Sequence, residues 1–177
     1  MRLRPLLLTA LLGLLSACSS VPPQPVLTPP EAPAATAAPE AVTKHKAVPV
    51  EALNADVHQD NIERTICVSG YTATVRPSTS YTNGVKLKLL NEQGLPASDA
   101  AEFELDHRVP LALGGNPRNL QNLMLQPWEG KVGANVKDRL ERRLQVLVCA
   151  GKLLLDDARR AIYFDWQGAY RTYVGTP

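Results

Sequence analysis

FELDHRVPLALGGNPRNLQNLMLQP, Phe103 to Pro127, decides how this chain is read. Phe103 and Leu105 alternate with Glu102, Glu104 and Asp106, the period of a half-buried strand. Gly114, Gly115, Asn116 and Pro117 form a turn cluster. Leu123, Met124 and Leu125 can make a second short strand. The stretch therefore predicts strand, glycine turn, strand, with the Asp106-His107 pair closing the first strand. Plain alternation puts those two side chains on opposite faces, so both serve one site only where the strand bends, twists or ends.

Working outward, Val136, Leu140, Leu144 and Leu147 trace one apolar stripe at helical spacing from Asn135 onward, and Gly151 is a plausible stop. A last helix carries Ala158, Ile162, Trp166, Ala169 and Tyr173 on one face. Upstream, Tyr81, Val85 and Leu89 recur every four residues and predict a helix ending near Gly94, with a loop over Leu95 to Asp99. Ile66 to Pro77 is rich in β-branched residues and predicts a short strand. Helix, strand, turn, strand, helix, helix is an α+β pattern. Trp128 and Trp166 read as core anchors and Glu141 as helix surface, while Asp138 is spaced to pair with Arg142.

The folded part is expected over residues 61–177. Residues 1–17 read as an export signal: Arg2 and Arg4 open it, Leu6 to Leu15 is almost wholly apolar, and small residues end it. The apolar run is shorter than the about 20 residues a spanning helix needs. LSAC, Leu15 to Cys18, resembles the lipobox of bacterial lipoproteins, which implies cleavage before Cys18 and lipid on its thiol. Ser19 rather than Asp follows, which suggests the outer membrane, with the domain in the periplasm or at the cell surface. Residues 18–60 form the tether; from Val21 to Val50 half the positions are Pro or Ala, a composition that cannot bury a core. Cys67 and Cys149 remain, and in an exported chain they fit either one bridge or two buried thiols. A bridge would close a loop of about 80 residues and contribute about 4 kcal/mol.

The net charge of +2 falls to near neutral without Arg2 and Arg4, so bulk charge does not announce a nucleic-acid binder. From Thr65 onward there are 14 Lys and Arg against 11 Asp and Glu. Lys131, Lys137, Arg139, Arg142 and Arg143 make a modest basic patch, which a solvated helix face explains equally well.

The strand ending in Asp106-His107, then Pro110, Gly114-Gly115, Asn122-Leu123 and a helix with a polar start resembles the HNH, or ββα-metal, nuclease family. The flanks ICVSGYTATVRP and VKDRLERRLQVLVCAGK, through Asp165-Trp166, also look like small exported bacterial proteins carrying this motif. The resemblance implies a compact ββα-metal core (two strands, glycine loop, helix) flanked by further helices. It implies an endonuclease that hydrolyses DNA or RNA with little sequence preference. His107 would be the general base, its ordinary pKa lying near working pH. Asp106 would bind Mg²⁺ or Mn²⁺, and Asn135 would add a ligand from the helix, with Asp138 the alternative on nearly the same face. Asn122, the third member of the catalytic set, would brace the loop rather than touch metal. Lys137, Arg139 and Arg142 would contact phosphates, which position nucleic acid without reading bases. No protein partner is evident. The rival reading is the same fold without catalysis, an envelope module that binds a protein or wall polymer.

Overall fold

The computed structural model describes residues 46–176. The expected signal segment, Cys18 and most of the tether lie outside the described residues. The architecture is mixed helix and sheet, an α+β fold: one antiparallel pair, β1 (Phe103–His107) and β2 (Leu123–Pro127), is accompanied by α1 (Tyr71–Val75), α2 (Thr79–Glu92), α3 (Ala134–Cys149) and α4 (Leu155–Tyr173).

The two strands pair with Phe103 opposite Pro127, Leu105 opposite Leu125 and His107 opposite Leu123. The register continues into the loop, where the Arg108 N–H donates to the Asn122 carbonyl at 2.8 Å. α2 packs against both strands. Ser78 caps its start by accepting from the Tyr81 N–H, and Gly94, at φ 70°, lies just past its end. α3 and α4 pack on each other around Leu140, Leu144, Val148, Leu155, Ala158 and Ile162, all essentially excluded from solvent. These are largely the apolar stripes visible in the sequence. α4 is kinked at Asp165, whose backbone leaves helical values while its carboxylate accepts from the Gly168 N–H and restarts the helix.

Three expectations need correction. Ile66 to Pro77 is not a strand. The chain turns at Gly70, φ 83°, and closes the single helical turn α1, because no neighbouring strand is there to accept a ladder and Cys67 is tied to Cys149 by a disulfide. Leu95 to Asp99 is not all loop, since a 3-10 turn runs Ala97–Glu102. The packed chain also begins before residue 61. Val48, Ala52 and Val57 belong to the main core, Leu53 bridges Gly115, and the Asn54 N–H donates to the Gly114 carbonyl at 2.9 Å. Pro49 fixes one φ in this stretch without preventing its few apolar side chains from docking.

Candidate active site

The loop joining the strands is built before any site can exist. Asn122 is fully buried; its Oδ1 accepts from the Val109 N–H at 2.8 Å, and its Nδ2 donates to the carbonyls of Val109 (3.0 Å) and Asn116 (2.9 Å). One side chain thus satisfies three backbone groups that the turn would otherwise leave unpaired. Gly115 sits against this knot: a Cβ there would lie 1.8 Å from the Val109 carbonyl oxygen. Gly114 needs its left-handed φ of 71° and abuts Arg159 and Val57. Arg159, buried on α4, donates to the carbonyls of Leu113 and Val57 and so straps the loop to the core.

That frame positions Asp106 and His107, both buried at the end of β1. Asp106 has both oxygens engaged. Oδ1 accepts from the His107 N–H at 2.6 Å, and Oδ2 accepts from the Lys137 ammonium at 2.9 Å. His107 turns its ring toward the loop, with Nε2 3.3 Å from the Pro117 carbonyl. A carbonyl only accepts, so in the neutral ring Nε2 carries the proton and Nδ1 the lone pair. Burial holds the His107 pKa below its ordinary value, against the opposing pull of the Pro117 carbonyl and Asp106, so the neutral ring is the form present at pH 7.

Both residues line a polar cavity of about 290 Å³, together with Glu104, Asp138, Glu141 and Arg142. Pro110 and Leu111 close part of its wall, and Arg76 reaches it from the end of α1. Burial, reinforced by the negative charges of Asp106 and Asp138, pushes the Glu104 carboxyl up to about 7. Glu141 is likewise pushed up by burial, against the adjoining ammonium of Lys137. Desolvation opposes the charge on Lys137, yet Glu141 and Asp106 outweigh it and hold its pKa above the ordinary lysine value. A larger depression of about 420 Å³ beside the disulfide offers no carboxylate, histidine or cation.

The sequence-predicted residues divide accordingly. Asp106, His107, Asp138 and Arg142 meet around one cavity, and Asn122 supports it from behind. Asn135 does not join them. It is exposed at the start of α3, and its amide donates to Glu129 at 3.1 Å. Lys137 is not a phosphate contact from solvent, because it is 1% exposed and donates to Asp106, the His107 carbonyl and Glu141. Arg139 lies over the Tyr170 ring at 5.8 Å, and Arg142 reaches Asp138 at 4.0 Å. Glu141 belongs to the Lys137 ion-pair cluster rather than the helix surface, and Trp128 is 37% exposed rather than a core anchor. Glu104 and Arg76 are not among the residues the sequence offers for the site, and Glu141 is there assigned to the helix surface. The available signal was the i,i+4 pair Lys137-Glu141, one step round the helix from the Leu140-Leu144 stripe.

Apart from the His107 ring, the donors around the cavity are carboxylate oxygens, which fits a hard cation such as Mg²⁺ or Mn²⁺ and not a thiolate-seeking ion. Among the described residues no three His, Cys, Asp or Glu are grouped closely enough to hold a metal by themselves. An ion of the magnesium kind needs only one or two carboxylates and keeps its waters. Among the described residues, no helix is long and apolar enough to cross a membrane. No family model, curated protein or solved structure matches this chain.

Proposed function

We propose that this chain hydrolyses phosphodiester bonds of nucleic acid, as an HNH-type endonuclease with His107 as general base. One observation carries the reading: a buried, neutral histidine has its Nε2 proton directed at a carbonyl, which leaves the lone pair on Nδ1, with no hydrogen-bond partner for Nδ1 among the described residues, at the wall of a polar cavity. Nδ1 would take a proton from water, the resulting hydroxide would attack phosphorus, and the P–O bond to the leaving oxygen would break, that oxygen being protonated from solvent. Arg142 and Arg76 line the cavity and would draw the phosphate in. Asp106, with Asp138 or Glu104, would hold a divalent cation, whose chemistry there is to stabilise charge on the phosphate and leaving oxygen. Asn122 and Gly115 keep the His107 loop in place.

The full chain should nick plasmid in Mg²⁺ or Mn²⁺ and stop in EDTA. His107→Gln should lower the rate at least about 100-fold, the usual size of a general-base contribution. Because the His107 pKa is depressed, protonation of the base should cut the wild-type rate only at lower pH than an ordinary histidine would, read as rate against pH at saturating metal. Undiminished cutting by His107→Gln would overturn the assignment.

A non-catalytic envelope module is the second reading, favoured by one fact: both oxygens of Asp106 are already taken. Thermal shifts separate the two. A metal-using site gains melting temperature with Mg²⁺ or Mn²⁺ and loses that gain in Asp106→Ala, whereas a binding module shows no metal-dependent gain in either protein. We also propose that Cys18 is lipidated and tethers the domain in the bacterial envelope; mass measurement of the mature N-terminus tests this.

A further inference from the structure

A second cavity, of about 270 Å³, adjoins the one just described and shares Arg76, Glu104, Leu105 and His107 with it. The two therefore meet along β1, with His107 on the wall of both. The new half is walled by α2, through Thr79, Thr82, Asn83 and Lys86, and by Trp128 just past β2. Its chemistry differs from the first. It holds two cations, Arg76 and Lys86, and a single carboxylate, Glu104. Neither Arg76 nor Lys86 forms an ion pair among the described residues, although Lys88, one turn-edge away, does so with Glu92. Thr79, Thr82 and Asn83 add hydroxyl and amide groups. Trp128 leaves 37% of its surface open, a large aromatic exposure beside unpaired cations.

An aromatic face next to cations and small polar side chains is how single-stranded nucleic acid is held, with bases stacking on the ring and phosphates on the charges. A duplex cannot use such a platform, since its base faces are covered by their neighbours. We infer that this second cavity seats the nucleotide beside the scissile phosphate, with Trp128 under the base and Arg76 and Lys86 on the backbone, and that the substrate is a single-stranded polynucleotide. The inference rests on the reading of His107 as the hydrolytic base, and it adds α2 and Trp128 to the nucleic-acid contacts of the cavity arginines.

Fluorescence anisotropy with 12-residue oligo(dT), oligo(rU) and a dT·dA duplex of that length tests it. The protein is the full chain as His107→Gln, and separately the wild type in EDTA. Single strands should bind at least about 10-fold tighter than duplex, and the two single-strand arms distinguish DNA from RNA. Trp128→Leu should weaken single-strand binding by roughly 5- to 100-fold, the range for loss of one stacked base. Arg76→Gln and Lys86→Gln should each reduce the slope of log affinity against log salt by about 0.7, and Lys88→Gln should leave it unchanged. Duplex bound as tightly as single strand, or binding indifferent to Trp128, Arg76 and Lys86, would overturn the inference. So would Lys88→Gln acting like Lys86→Gln, which would mean diffuse charge. The two readings fail separately. Cleavage that needs His107 but ignores Trp128 leaves the hydrolase and removes this subsite; Trp128-dependent binding without cleavage in any divalent metal does the reverse.

Discussion

Lys137 carries its charge at 1% exposure, compensated by Asp106 and Glu141 and by the His107 carbonyl. Removing the ammonium leaves two buried carboxylates facing each other, the expensive way to break an ion pair. Lys137→Met should cost about 3 kcal/mol in urea unfolding, and adding Glu141→Leu should recover part of it, because one uncompensated charge is then gone. Glu104 makes a prediction with a pH sign. Its folded pKa of about 7 lies above the ordinary carboxyl value, so between those values the folded chain binds the extra proton. Stability therefore falls as pH rises from 4.5 to 7. Since the side chain is about half solvated, the loss is on the order of 1 kcal/mol. Glu104→Gln should reduce that slope, read as melting temperature at pH 5 and pH 8, while Glu141, raised in the same way, keeps its share of it. Mg²⁺, which favours the ionised carboxylate, should stabilise wild type more at pH 8 than at pH 6. An identical metal shift at both values would mean that Glu104 lies outside the ion's field.

The elements around the site depend on two glycines in opposite ways. Gly115 lies in the loop between β1 and β2, where a Cβ would run into the Val109 carbonyl and crowd the Asn122 amide. Gly115→Ala should destabilise by about 3 kcal/mol, as overpacking does, and should loosen His107 with it. Gly84 lies inside α2, where a Cβ meets nothing within 4 Å. Gly84→Ala should therefore stabilise by up to about 1 kcal/mol through helix propensity. Chemical denaturation of both variants checks the pair, and equal signs would contradict this account of the loop. Strand alternation, the double glycine and the α3 and α4 stripes were all legible, because each is a local pattern that one buried face imposes. The region Ile66 to Pro77 was not, since β-branched residues form a strand only where a partner strand exists, and partners are set by the whole chain.

For the molecule as a whole, the consequential difference is where the folded unit starts. Val48, Ala52 and Val57 fill the core beside Val109 and Leu113, and the backbone from Leu53 to Asn54 pairs with the glycine turn. A chain beginning at Asn61 should lose roughly 4 kcal/mol or more of buried apolar surface and expose Gly114 and Gly115. One beginning at Lys46 should melt like the full chain. Calorimetry of both truncations checks this; equal melting temperatures would show the 48–57 segment to be dispensable. The Cys67–Cys149 disulfide closes across 82 residues and joins the segment before α1 to the end of α3, so its reduction should destabilise the fold.

What the amino-acid sequence determined alone was the set of local instructions: one alternating strand and a short apolar second one, the Gly114-Gly115 turn, the apolar faces of the last two helices, and the neighbourhood of Asp106 and His107. Tertiary structure decided who meets whom. It put Lys137 rather than Asn135 beside Asp106, brought Glu104 and Glu141 into the same cavity, and opened Trp128 onto a groove with Arg76 and Lys86. Periodicity reports which face of an element is buried. Which charged tip reaches which partner depends on side-chain length and on how far one element is rotated against another, and no single segment encodes that.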